Sequence, residues 1–199
     1  MQTTGFPGFP PAENHTRSSP PDDKILTQSA YSAVIHAPIY QVDIADWLLN
    51  LPDAEYQRCA PPDHIAVGST TTDEGRPMSI NVEQIGTSLM IQHYVGEITE
   101  KRHCRMVSHS DVYTPAGRTK IQVIWDLSVK PIDDQYCEYT NSVRGLATPE
   151  FLTFIAEHGI TFEQAAAARQ AASADHNSRE TPLYAKSIER KALAVTTTN

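Results

Sequence analysis

The sequence predicts one α+β domain of about 170 residues, in which a long, curved antiparallel sheet wraps helices and encloses a small-molecule cavity. Three observations carry that expectation. Six successive segments of strand composition lie between residues 63 and 144, joined by connections too short for crossover helices, so they must pair antiparallel. One strand and two short helices precede them, and helices with marked starts follow from Thr148 onward. The 199 residues suffice to bury a sizeable core once but would be cramped as two domains.

Taken in order, residues 1 to 24 hold Pro7, Pro10, Pro11, Pro20 and Pro21 among Gly, Ser and Thr, a composition that cannot offset ordering entropy. A disordered tail is expected there, followed by one ligand-binding domain over residues 25–195. Residues 25–36, with Tyr31, Val34 and Ile35, read as a strand ending at Ala37-Pro38. Ile39, Val42, Ile44, Ala45, Leu48 and Leu49 recur at helical spacing up to Pro52, and a short helical turn spans residues 53–58. The meander then occupies approximately 63–71, 77–85, 88–98, 103–113, 119–130 and 135–144, with turns at Asp73-Glu74-Gly75, Gly86-Thr87-Ser88, Pro115-Ala116-Gly117 and Asp133-Asp134. Thr148-Pro149-Glu150 opens a helix that His158-Gly159 closes, with His158 expected to interact with the helix end. Thr161 to Gln164 form a capping box ahead of an Ala-rich helix to about Ala174, and Thr181-Pro182 is expected to start a third.

Charge and cysteine content narrow the function. With 24 acidic residues against 16 basic ones, the net charge of -8 repels phosphate backbones and anionic lipid, so no nucleic-acid partner is expected. No apolar run reaches the roughly 18 residues of a membrane helix, and no secretory signal is visible, so a cytoplasmic protein without a membrane partner is expected. Cys59, Cys104 and Cys137 lack any C-x-x-C spacing and read as reduced thiols. Neither G-x-G-x-x-G nor a P-loop motif occurs, and no cofactor is expected.

The element order, with the Ala37-Pro38 that ends the first strand, resembles the helix-grip superfamily (SRPBCC) of START, Bet v 1 and polyketide-cyclase proteins over residues 27–193. The resemblance rests on topology and implies a cavity between the sheet and a C-terminal helix; it carries no catalytic motif. Two or three C-terminal helices are expected where the family has a single long one. The catalytic domain of ring oxygenases shares the fold, and Glu180-Thr181-Pro182-Leu183-Tyr184 is loosely similar to its closing region. The absence of an Asp-x-x-His-x-x-x-x-His stretch argues against a mononuclear-iron oxygenase.

Strand alternation supplies the candidate residues. Ile121, Val123, Trp125 and Leu127 form a nearly all-apolar row, hence a buried face. Matching apolar neighbours puts the row of Val107, His109, Asp111 and Tyr113 on the same side, together with His93, Tyr139 and Asn141. In this reading His109 is a general base oriented by Asp111, and Tyr113 donates to a developing enolate. His93, Trp125, Tyr139 and Asn141 would line the ligand site. The competing bland reading leaves His109 and Asp111 on a solvated face, since i and i+2 side chains stand about 6–7 Å apart and need not touch. A metal held by His93, His109 and Asp111 with Glu97 or His103 is a further alternative that lacks a short ligand motif.

The expected function is binding of a hydrophobic, aromatic or polyketide-like molecule, with cyclisation, dehydration or hydrolysis by His/Asp chemistry as the enzymatic version. The alternatives are a non-catalytic small-molecule or lipid carrier and a metal-dependent enzyme related to the ring-oxygenase domain. A homodimer through the Ala-rich helix is the expected form of any self-association.

Overall fold

In the computed structural model, which describes residues 24–194, the meander forms as its turns dictate. The tail expected over residues 1 to 24 falls outside the described range except for Lys24. Strands β1 (Ile25–Ile35), β2 (His64–Thr71), β3 (Pro77–Ile85), β4 (Ser88–Glu100), β5 (His103–Thr114), β6 (Gly117–Pro131) and β7 (Cys137–Ala147) make one antiparallel sheet in the order β1-β7-β6-β5-β4-β3-β2. Gly86 turns β3 into β4 at φ 59°, a conformation that favours glycine, and a Cβ there would meet the Cβ of Ala172 at 3.1 Å. Asp133 closes the β6–β7 turn, its Oδ1 accepting from the backbone of Gln135 (2.7 Å) and Tyr136 (2.9 Å).

The helix expected over residues 39–51 is divided. A 3-10 turn spans Ile39–Gln41, and α1 (Ile44–Leu49) begins only after Asp43, whose carboxylate accepts from Asp46 N–H at 3.0 Å and caps it. Helix α2 (Asp53–Cys59) follows, and α3 (Pro149–Glu157) is capped by the Thr148 hydroxyl. The Thr161 and Gln164 side chains bond each other's backbone N–H groups at 3.2 and 3.0 Å, a reciprocal capping box. The ring nitrogens of His158 face two carbonyl oxygens, Nδ1 that of Phe154 (2.7 Å) and Nε2 that of Ala116 (3.2 Å), each of which can only accept from a ring N–H.

The C-terminal expectation needs correction at one point. There is no break at Thr181-Pro182: α4 (Phe162–Ala194) is continuous through Pro182. Proline forfeits the bond to the carbonyl four residues back. The helix persists because Tyr184, Ala185, Ile188 and Ala192 beyond it are buried against the core. Among the described residues no helix is long and apolar enough to cross a membrane.

Helix α4 runs along β1, an edge of the sheet, and supplies partners to its backbone. Gln28 N–H donates to Gln170 Oε1 (2.8 Å), Gln28 carbonyl accepts from Gln170 Nε2 (3.2 Å), and His36 N–H donates to Glu189 (2.8 Å). An otherwise open edge is thereby blunted. Ala165, Ala166 and Ala172 of the Ala-rich run pack against the molecule's own core. From α1, Trp47 donates to the Ser187 hydroxyl at 3.0 Å and meets Tyr184 edge-on, so α1 and α4 close the same end of the core.

Candidate functional site

The sheet's inner face, the one α4 covers, is set by hairpin register. Thr114 pairs with Gly117 across the tight β5–β6 turn, so Ser110 opposes Ile121, Ser108 opposes Val123 and Met106 opposes Trp125. Directly opposed residues share a face. The inner row of β5 is therefore Cys104, Met106, Ser108, Ser110 and Val112, all buried.

The row of Val107, His109, Asp111 and Tyr113 consequently looks outward. His109 is exposed and Tyr113 is 40 % exposed. Asp111 pairs with Arg118 at 2.7 Å and with Lys120 at 3.7 Å; the Arg118 guanidinium holds its carboxyl below the usual value. His93 also lies on the outer side, alternating with buried Gln92 and Tyr94. The alternative metal set is likewise dispersed, with His103 bonded to Asp126 (3.0 Å) and Glu97 beside Arg105 (3.3 Å).

The residues expected on β6 and β7 are inside. Trp125 lines a cavity, and its Nε1 donates to Asn141 Oδ1 at 2.9 Å. Asn141, fully buried behind that wall, donates in turn to Glu180 Oε1 (2.8 Å) and Thr181 Oγ1 (3.1 Å). Tyr139 is fully buried with its hydroxyl unpartnered, and burial raises its pKa well above the ordinary value.

The cavity lies between this inner face and α4. Its apolar wall is Ile85, Met90, Ile121, Val123 and Trp125. Its polar side is one stripe of α4, Arg169, Ser173, His176, Asn177 and Glu180, extended by Tyr184 and facing Asn81, Glu83 and Gln92 of the sheet. The cavity volume is about 40 Å³. That is room for roughly three waters.

The two ends of the cavity differ in charge. At one end Arg169 makes its hydrogen bond to the sulfur of Met90 (3.5 Å) rather than to a carboxylate, and burial lowers its pKa to about 10. It also borders a surface groove formed by Phe151, Phe154, Ile155 and Ile160 of the α3 region, so the guanidinium stands between groove and cavity.

At the other end four titratable side chains converge from β2, β3 and α4. His176 Nδ1 bonds Asp63 (2.9 Å) and its Nε2 lies 3.3 Å from Glu180 Oε2 and 4.0 Å from Glu83 Oε2. His64, whose side chain is wholly buried, bonds the Tyr56 carbonyl through Nδ1 (2.8 Å) and stacks on the Tyr56 ring. Its Nε2 lies 3.2 Å from Glu180 Oε2 and 3.8 Å from Glu83 Oε1, the first out of line and the second too far for a hydrogen bond, so the atom makes none. Glu83 accepts from the Tyr56 hydroxyl. With the Gln92 amide nitrogen turned toward it (3.0 and 3.2 Å), it accepts there too, while Gln92 Oε1 accepts from Tyr94.

Burial opposes charge in this cluster, and the partners prevail. It pulls His176 down, yet Glu180, Glu83 and Asp63 hold its pKa at about 10. It pushes Glu180 up, yet the two imidazoles hold that carboxyl far below the usual range. His64 is raised for the same reason, by Glu180 and Glu83 against its own burial. Tyr94 and Tyr184 are pushed well above their ordinary values by burial and by these carboxylates, so both keep their protons.

His64, Glu83, His176 and Arg169 are not singled out by pattern, and Glu180 enters only through the loose likeness of Glu180-Thr181-Pro182-Leu183-Tyr184 to the ring-oxygenase closing region. The α4 members do carry a signal: 169, 173, 176, 177, 180 and 184 recur at helical spacing as one polar stripe. Placing a helix break at Thr181-Pro182 hides it. Glu83 sits between Asn81 and Ile85 on the inner row of β3, and His64, just after Pro61-Pro62, carries no pattern signal at all.

No protein-family model matches the sequence, and no curated protein matches it. Solved structures do. The Zhui aromatase/cyclase from Streptomyces sp. R1128 superposes with a TM-score of 0.58 at 8% identity, over 85% of this chain and 94% of that one. The di-domain aromatase/cyclase StfQ from the steffimycin biosynthetic pathway gives 0.53 at 11% identity, over 88% of this chain and 54% of that one. A START superfamily protein from Mycobacterium smegmatis gives 0.47 at 11% identity, over 84% and 98%. Seven antiparallel strands closed by a long C-terminal helix, two short helices after the first strand and the two aromatase/cyclase superpositions identify the architecture: the chain has the helix-grip fold.

Proposed function

We propose that the protein binds a small, largely apolar, aromatic molecule carrying an anionic group, and that the His/Glu end of the cavity activates a carbonyl of that molecule. The observation that carries this reading is Arg169, a half-buried guanidinium with a sulfur, not a carboxylate, as its hydrogen-bond partner. A cation partly withdrawn from water without a counter-charge is costly; a ligand carboxylate supplies one in bidentate form, and a phenolate through its single oxygen. The aromatic wall at Trp125, Tyr94 and Tyr184 suits a ring. At the far end the cluster of His64, Glu83, His176 and Glu180 would polarise a carbonyl oxygen as enolate charge develops, which is the step that cyclisation and dehydration share. A ligand of ordinary size needs about 300 Å³ or more. Admission therefore requires Arg169 and its stretch of α4 to yield toward the groove.

Calorimetric titration with hydroxynaphthoic acid and with its neutral amide tests the assignment. The acid is expected to bind more tightly, and Arg169→Met to remove that preference while leaving amide binding unchanged. Equal binding of acid and amide by the unaltered protein would overturn it. Recovery of a keto-substituted probe unchanged, without deuterium uptake next to its carbonyl in D2O, would leave a carrier in place of an enzyme.

A further inference from the structure

We infer that His64, His176, Glu83 and Glu180 form a binding site for one divalent first-row transition-metal ion at the closed end of the cavity. The inference deepens the ligand-binding reading by supplying its cofactor, and it is testable without any organic ligand.

The donor atoms are of the right kind and already gathered. His64, Glu83 and His176 each place one ligand atom within 4.8 Å of the others, and they are the one such group of His, Cys, Asp or Glu among the described residues. Ligands about 2.1 Å from a tetrahedral ion stand about 3.4 Å apart. Glu180 Oε2 lies 3.2 and 3.3 Å from the two Nε2 atoms, and the Glu83 oxygens lie 3.8 and 4.0 Å from them. The Glu180 separations already suit one ion, and the Glu83 oxygens have to draw in by about half an ångström. Two imidazoles with two carboxylates suit zinc, iron(II), cobalt(II) or manganese(II).

The surroundings are those of ligands held in place. Each histidine uses Nδ1 on an outer partner, the Tyr56 carbonyl for His64 and the Asp63 carboxylate for His176, which turns both Nε2 atoms to the same point. Asp63 is in turn held by Arg179, and Glu180 by Asn141. Independently of the cluster's composition, His64 Nε2 is a buried nitrogen without an aligned partner, aimed into the group. A metal gives that atom a direct ligand bond, which the misaligned 3.2 Å contact with Glu180 does not. Two carboxylates also balance the ion's charge, so a divalent ion replaces two protons without leaving net buried charge. Bound there, it would polarise a ligand carbonyl arriving along the Trp125 wall.

The test loads the chelator-treated full chain with cobalt(II), read by metal analysis, visible d–d absorption and X-ray absorption. The expected result is one ion per chain with two imidazoles in its first shell. His64→Gln and Glu83→Gln are each expected to abolish stoichiometric binding, whereas His109→Gln on the outer face leaves it intact. Asp63→Asn, which keeps the four donors, is expected to weaken binding by about 10–100-fold. If the ligand variants fail to fold, the imidazole count in the unaltered protein decides alone. A folded protein that takes up no cobalt(II) or zinc(II), or one whose ion shows no imidazole, overturns the site. Loss of the acid-over-amide preference, by contrast, reports on Arg169 and leaves the metal site standing.

Discussion

Two carboxylates on this chain show how position decides what a residue does. Asp111, paired with Arg118 and Lys120 on the outer face, makes ion pairs of a kind worth about 0.2–1 kcal/mol. Asp111→Asn is therefore expected to lower unfolding free energy by about 1 kcal/mol or less, and both it and His109→Asn to leave ligand binding unchanged. Glu180 is 3 % exposed and lies beside both buried imidazoles. Glu180→Gln keeps an acceptor for Asn141 but strips the charge from between them. Such a loss in a buried pair costs about 3–5 kcal/mol, and urea unfolding followed by tryptophan fluorescence measures it. A Glu180→Gln protein within about 1 kcal/mol of the unaltered chain would mean that the cluster is not ionised as described.

At the scale of elements, the strands were legible because their turns are chemically explicit, and the face of β5 was not. Both of its rows mix apolar and polar residues: Val107, His109, Asp111 and Tyr113 on one, Met106, Ser108, Ser110 and Val112 on the other. Hydropathy cannot choose between them, and small serines fit the buried row. Register through the Pro115-Ala116 turn does choose, by pairing Ser110 with Ile121. The same distinction applies to α4, where local proline chemistry predicts a start at Pro182 and long-range packing overrides it. Pro182 is exposed and its helix is ordered on both sides, so the ring contributes nothing to the core. Pro182→Ala is expected to restore the donor to the Ser178 carbonyl and to stabilise the protein by about 1–3 kcal/mol, less whatever Pro gains by restricting the unfolded chain. For a domain of this size that is a rise of several degrees in Tm, about 2–4 °C per kcal/mol. An unchanged or lower Tm would show that the helix is shaped around the proline.

The whole molecule is held closed by α4, and α2 (Asp53–Cys59) is tied to it by charge as well as by packing. Glu55 pairs with Arg190 of α4 and with Arg58 (2.7 Å) of its own helix. Burial raises the Glu55 carboxyl, but hydrogen bonds from Arg190, Arg58 and Ser187 outweigh it and bring the pKa down to about 2 from 4.5. Between those two values the unfolded chain binds a proton that the folded chain does not. Stability therefore increases with pH across that window, is fully present above it, and is lost as pH falls through it. Denaturant unfolding at steps from pH 5 to pH 2.5 should show this loss, and the difference between the unaltered chain and Glu55→Gln isolates the share due to this carboxyl, since every other titrating group is common to both. The two stability curves are expected to converge as acid protonates Glu55, with the gap widest near pH 5. Arg190→Met should narrow the gap from the other side of the same pair. Curves that run parallel down to pH 2.5 would mean that the α2–α4 tie is made by packing alone, through the buried Tyr56, Cys59 and Tyr184, and that the charges at its rim are incidental to closure of the cavity.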